Sequence, residues 1–298
     1  MLQRRLRPKR GFEDRIAYLL ILPYYFIFVY FMLIPIGEVV VNSFTNFNLF
    51  GQRDYIGLAN YAALLQDEIF HKSIRNTFAY VIFTLFPSMA LGLSIALLLN
   101  LKGYRTKLAR TAVFLPYIVS MVSVSMIWML MFDPTIGLFN KVLQWFGAPP
   151  KAWLMDPKLA LPSIIVMGVW KSVGYSMIIY LAALQGVPGD YYEASQIDGA
   201  NRWHQFWHIT FPLLAPATFF LAVTGLITSF NVFDQVNIMT GGGPVNSTTV
   251  IVHQIYQRGF WEFKMGYASA QSVVLLAGVL LITALNWKFG GYGRQADR

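Results

Sequence analysis

No cysteine occurs in the 298 residues. Disulfides and thiolate metal sites are therefore excluded, and nothing marks the redox compartment. Charge is scarce as well. Only 12% of residues are charged, against about 25% in soluble domains, and 56% are apolar, against about 45–50%. Acids number 14 against 23 lysines and arginines, a formal net charge of +9. Such an excess can serve nucleic acid, but here the cations avoid the long apolar runs and gather beside them. That is the pattern of charge flanking membrane spans, with lipid as the partner and no nucleic acid.

Two further absences remove chemistry. The triple glycine Gly241–Gly243 is not followed by Lys-Ser/Thr, so it is no phosphate-cradling loop, and no nucleotide is expected on this chain. His204 and His208 share a helix face, but Gln205 stands where a zinc protease motif needs glutamate, and no acidic third ligand lies nearby. No metal site, no catalytic residue and no resident cofactor are expected.

A helix needs roughly 20 mostly apolar residues to cross a bilayer. Six segments meet this: Ile16–Phe44, Ile74–Leu101, Leu108–Phe132, Leu159–Leu184, Pro212–Met239 and Tyr267–Phe289. The fold class is all-α, a six-helix membrane protein. The first segment follows "RRLRPKR", yet its apolar stretch is too long for a signal sequence and no small-x-small site follows, so it reads as a retained span. Arginine and lysine crowd the segment before span one and the link between spans two and three (Lys102, Arg105, Lys107, Arg110). The positive-inside rule then puts both termini in the cytoplasm. The organisation is a basic cytoplasmic N-terminus, 1–15, a six-helix transmembrane body, 16–290, with a cytoplasmic loop at 186–211, and a tail, 291–298. An enzyme with its catalytic unit in water is excluded. Short surface helices are expected on the outer side, one with Tyr61, Leu64, Leu65 and Ile69 at helical spacing and one over Gly137–Phe146.

The inner loop between spans four and five is too patterned for a connector. Pro188 and Gly189 stop span four, Asp190 is placed to cap a new helix with Glu193 completing a capping box, and Ala194 and Ser195 form a small face. Gly199 interrupts, and Arg202–Ile209 presents Trp203, Phe206 and Trp207 before Pro212 opens span five. A helix–turn–helix lying across the membrane surface is expected. It serves either as an amphipathic connector or as a docking peg for a soluble partner.

Glu193-Ala194-Ser195, three residues, Gly199, nine residues, Ile209, one residue and Phe211-Pro212 resemble the EAA signature of ABC importer permeases. Ser195 replaces the second alanine and Phe211 a usual leucine. "MTGGGPVNSTT", "GYASAQS" and "DPTIGLFNKVL" are similar to the carbohydrate-uptake branch, specifically the first of its two permeases, the type of the larger maltose-importer channel subunit. The resemblance implies a type I importer fold in a bacterial inner membrane. It implies a homologous second permease, two cytoplasmic ATPases carrying ATP and Mg, and an extracytoplasmic solute-binding protein. Glu193, Ala194, Ser195, Asp198, Gly199, Ile209 and Pro212 would then couple ATPase closure to the spans.

Charges inside spans cost at least about 2.5–3.5 kcal/mol at mid-bilayer and so are informative. Lys171 stands with Trp170, Ser172 and Tyr175, and Asp234 with Thr228, Ser229, Asn231, Phe233 and Asn237. Either the two charges form a structural pair, or they line a polar cavity of hydroxyl, amide and aromatic groups suited to a sugar. By resemblance, the substrate path runs along Lys171, Ser172, Tyr175, Gly225, Thr228, Ser229, Val232 and Asp234. The cargo expected is a sugar or oligosaccharide, neutral or acidic. A permease for another solute such as glycerol phosphate and an ATPase-independent carrier are the alternatives.

Overall fold

The computed structural model describes residues 10–100 and 103–289. The basic stretch through Lys9, the Leu101–Lys102 link and the tail from Gly290 onward fall outside the described residues. Among these residues every regular element is helical. Four helices are long and apolar enough to cross a membrane unbroken, and two bent helix pairs, each counted as one span, bring the number to as many as six among the described residues.

Span one runs α1 (Arg10–Phe28), a π turn (Val29–Leu33) and α2 (Ile34–Asn42). The wide turn ends just before Pro35, which has no N–H to give the helix ladder. None of its most apolar stretch is buried against the rest of the chain. Glu38, near its end, pairs with Arg53 at 2.8 Å.

A surface helix, α3 (Ala59–Leu64), follows, and Ile69 is not part of it as the spacing suggested. It belongs to α4 (Glu68–Leu99), span two, which starts six residues before the predicted Ile74. The cause is Asp67, whose carboxylate accepts from the Ile69 and Phe70 amides at 2.9 and 3.1 Å.

Span three is not the continuous helix expected over Leu108–Phe132. It is α5 (Tyr104–Ile118) and α6 (Met121–Met131), meeting at 98°. Pro116 removes a rung near the end of α5, and Val119 and Ser120 are both extended. The outer helix α7 (Leu138–Trp145) comes next, as the sequence predicts. Asn140 organises the surrounding loop, donating to the Pro134 and Lys151 carbonyls and accepting from Trp153 Nε1.

Span four, α8 (Ala160–Gln185), is the centre of the fold and packs most extensively on α4. Small residues set the approach, as in membrane interfaces generally. A Cβ on Gly92 would lie 2.5 Å from Ser176 Cβ, and one on Gly174 would run into the Val113 carbonyl of α5. Below α8 lie α9 (Asp190–Ile197), α10 (Arg202–Gln205), a π turn (Phe206–Thr210) and α11 (Phe211–Leu213). This π turn also ends just ahead of a proline pair position, Phe211-Pro212.

Span five differs from the expected Pro212–Met239. The chain bends by 58° after Leu213, so α12 is Ala215–Phe230. Residues 231–233 then turn, and Asp234–Met239 is a separate short helix, α13. The polar Asn231 and Asp234 mark the stop. After α14 (Ile251–Tyr256) and a π turn, α15 (Met265–Phe289) forms span six.

Gly174→Val should force α5 off α8 at a cost of about 1–3 kcal/mol, seen as a lower melting temperature of the protein in detergent. Gly189→Ala, where an added Cβ meets nothing within 4 Å, should leave the melting temperature unchanged.

Candidate functional site

Two apolar clusters stack along α4 and α8. One holds Tyr80, Trp128, Met167 and Val236, and the other Leu85, Met177, Leu181 and Leu221. A cavity of about 190 Å³ lies where they meet, with Tyr80 from the first cluster and Leu85 and Leu221 from the second in its wall. Lys171, the twelfth residue of α8, places it near mid-span.

The α8 side of this cavity is Lys171, Ser172, Tyr175 and Ser176, and the α12 side is Thr224, Gly225, Thr228 and Ser229. Of the path predicted from sequence, the structure thus brings together Lys171, Ser172, Tyr175, Gly225, Thr228 and Ser229. It does not bring in the rest. Asn231 is exposed and its amide donates to the Ile227 carbonyl, ending α12. Val232 is buried in the first apolar cluster, and Asp234 is exposed beyond the break. The helix stop at Phe230 turns these three away.

Lys171 and Asp234 are not among the ion pairs of the described residues. The ammonium goes elsewhere. It donates to the backbone carbonyls of Pro116 and Tyr117, each at 3.1 Å, and to that of Val119. These are the carbonyls left without helical partners where span three breaks. Lys171 thereby caps the C-terminal end of α5, where a cation also meets the favourable end of the helix dipole.

The third wall comes from α4 and was not read from the sequence. Tyr80, Thr84 and Ser88 face the cavity, and Gln235 Nε2 donates to the Tyr80 hydroxyl at 2.8 Å. Their spacing of four, a polar stripe on an otherwise apolar span, was the available signal. Tyr117 completes the wall, its ring stacked on Tyr175 at 4.9 Å.

The 186–211 loop forms the expected helix–turn–helix, with one correction. Asp190 does not cap it: the cap position is Gly189, with no side-chain hydrogen bond, so no capping box forms. The second helix is capped instead by Asn201, which accepts from the His204 amide at 2.8 Å. Gly199 adopts φ +77°, a left-handed geometry that suits glycine at the end of α9. The two helices are stapled by Gln205, which sequence reading missed. Its Nε2 donates to Ser195 Oγ at 2.9 Å and to the Tyr192 carbonyl at 3.3 Å. Ser195 thus makes a hydrogen bond that an alanine there cannot. Glu193, Ala194 and Asp198 stay exposed, beside Ile197 at 87% and Trp203 at 70% exposure, while Ile209 is half-buried and Pro212 exposed.

Residues 88–287 match the family described as binding-protein-dependent transport system inner membrane component. The chain belongs to that family. Among curated relatives it is 34% identical to the probable ABC transporter permease protein YurN of Bacillus subtilis over 92% of this chain and 98% of that one. It is 33% identical to the sn-glycerol-3-phosphate transport system permease protein UgpA of Agrobacterium fabrum, over 92% and 94%. A crystal structure of a bacterial alginate ABC transporter, in complex with a periplasmic protein bound to alginate pentasaccharide, matches with TM-score 0.84 at 27% identity. That match covers 96% of this chain and 98% of the other. The resemblance carried by Glu193–Pro212 holds, and the chain is an all-α inner-membrane permease, a transport subunit.

The permease has a second, wider cavity of about 730 Å³ at the end of the spans away from this loop. Arg258 ties it together, bonding Asp67 at 3.1 Å and Glu262 at 2.7 Å, while the Tyr267 hydroxyl donates to Asp67 at 2.7 Å. Burial works against the charge on Asp67. The hydrogen bonds from Tyr267, Phe70 and Ile69 and the nearby Arg258 nonetheless hold its carboxyl below the usual range.

Gln205→Leu should leave the spans folded but loosen the loop by about 1–3 kcal/mol, because the Ser195 hydroxyl and the Tyr192 carbonyl lose a buried donor. Hydrogen exchange should quicken at the amides of residues 194–200 and stay unchanged in α8.

Proposed function

We propose that this permease is one half of the channel of an ATP-driven importer for a sugar or oligosaccharide. It works with a homologous second permease, two cytoplasmic ATPases docked on the 186–211 loop and an extracytoplasmic binding protein on the opposite face. Both termini lie in the cytoplasm, as the flanking arginines and lysines favour. The relatives' names and the alginate transporter support the importer reading.

The observation that carries the reading is the pairing of two sites on one helix. α8 supplies one wall of the mid-span cavity and then runs directly into the loop, whose α9 presents Glu193, Ala194 and Ile197 outward. A rigid helix joining the two lets movement at the loop reach the cavity. Closure of the ATPases would displace α9, tilt α8 against α4 and expose the cavity to the other side. Cargo moves only if its affinity differs between the two states, so the coupling is a free-energy link between loop and cavity. The exposed faces of span one and α12 are available to the second permease. Catalysis of ATP hydrolysis, with its Mg, belongs to the ATPase partners.

Isolation of the permease from its native membrane should bring down a second six-span protein and a soluble ATPase. Replacing Glu193 by Ala together with Gly199 by Val should release the ATPase and keep the second permease. Recovery of the permease alone, still moving solute along an ion gradient, would make it a secondary carrier.

A further inference from the structure

The mid-span cavity has a distinctive charge inventory. Among the described residues lining it there is no carboxylate, and Lys171 is its one formal charge. An ammonium has three N–H donors, and here three backbone carbonyls of the broken third span take them. The side chain is only 8% exposed. The cation in the cavity wall is therefore committed to holding α5 against α8.

Three of the hydroxyls around it are oriented as well. Ser88 donates its hydrogen to the Leu85 carbonyl at 2.9 Å, Thr224 to Phe220 at 2.7 Å and Thr228 to Thr224 at 3.0 Å. Each bond runs back to the residue's own helix, so the group turns oxygen lone pairs toward the space. These three oxygens accept from a sugar hydroxyl and offer nothing to a carboxylate or phosphate, which brings acceptors only. Thr84 also lines the space; it is 3% exposed and its hydroxyl lies beside that of Tyr80. Tyr80, accepting from Gln235, keeps its own proton to donate, and the Tyr117–Tyr175 pair offers an aromatic wall for an apolar ring face.

Building on the sugar-importer reading above, we propose that the cargo recognised by this half of the path is electrically neutral, a polyhydroxylated ring without carboxylate or phosphate. Lys171 is a positioning residue that closes the broken span, not a counter-ion. The relatives that move sn-glycerol 3-phosphate and alginate carry anions, so this separates the chain from them by cargo charge.

The test uses the complete importer, purified with its partners and binding protein and reconstituted in proteoliposomes with ATP. The probes are neutral gluco-, manno-, galacto- and xylo-oligosaccharides, the corresponding oligouronates, and sn-glycerol 3-phosphate. Uptake confined to a neutral compound is expected. For that compound Thr228→Val should raise KM roughly three- to ten-fold, the worth of one ordinary hydrogen bond. Lys171→Met should lower kcat with KM within three-fold, and Lys171→Arg should restore part of the rate. Uptake of an oligouronate or of glycerol phosphate, with KM for it rising more than ten-fold in Lys171→Met, would overturn the neutral-cargo inference while leaving the importer reading intact. Uptake of none of the probes, with ATP hydrolysis preserved, would overturn the sugar reading and this inference together.

Discussion

The structure depends on one ammonium group. Span three cannot cross as a single helix, because Pro116 and the extended pair Val119-Ser120 break it by 98°. A break inside hydrocarbon leaves carbonyls that water cannot reach, and each costs several kcal/mol if unsatisfied. Lys171 reaches across from span four and satisfies those of Pro116, Tyr117 and Val119. The same bonds remove the cost of burying the lysine. Each feature would be unfavourable alone, and together they fix α5 against α8.

The cavity follows from that arrangement. With α5 ending early, Tyr117 stacks on Tyr175 beside the space left where α6 turns away. α4 and α8 can close around it because Gly92 permits backbone approach, and Gly225 lets α12 come up against Leu85. The two apolar clusters flank the space. What remains polar is a ring of hydroxyls attached to four spans, so relative movement of those spans must change it. The loop at the end of α8 is stiff for a comparable reason: Gln205 ties its two helices and Gly199 permits the turn between them.

How much of this could be read from the residues varied with the range of the interaction. Span number and helical class were legible because they rest on local apolar runs. The EAA-like loop was legible because its spacing lies within twenty residues, and the cavity positions on spans four and five followed from it. The break in span three was not, since the group that stabilises it lies 52 residues from Val119. Lys171 was consequently set beside Asp234, the opposite charge, when its partners are uncharged carbonyls. Asn231 and Asp234 were read as cavity polarity, when Asn231 ends α12 and Asp234 opens α13. The Tyr80-Thr84-Ser88 stripe sat in plain view but resembles the small polar packing residues common in membrane helices. Gln205 looked like a failed zinc motif and is the staple of the loop.

The central claim is that the cavity opens to opposite sides of the membrane as the ATPases close and reopen. The absence of cysteine makes it directly accessible to experiment, since a single Thr228→Cys reports alone on this chain. In the assembled importer, a membrane-impermeant thiol reagent applied from the binding-protein side should label that position when ATP holds the ATPases closed. It should fail to do so when they are nucleotide-free. Labelling from that side at equal rates in both states would contradict alternating access and the coupling through α8 on which the account rests.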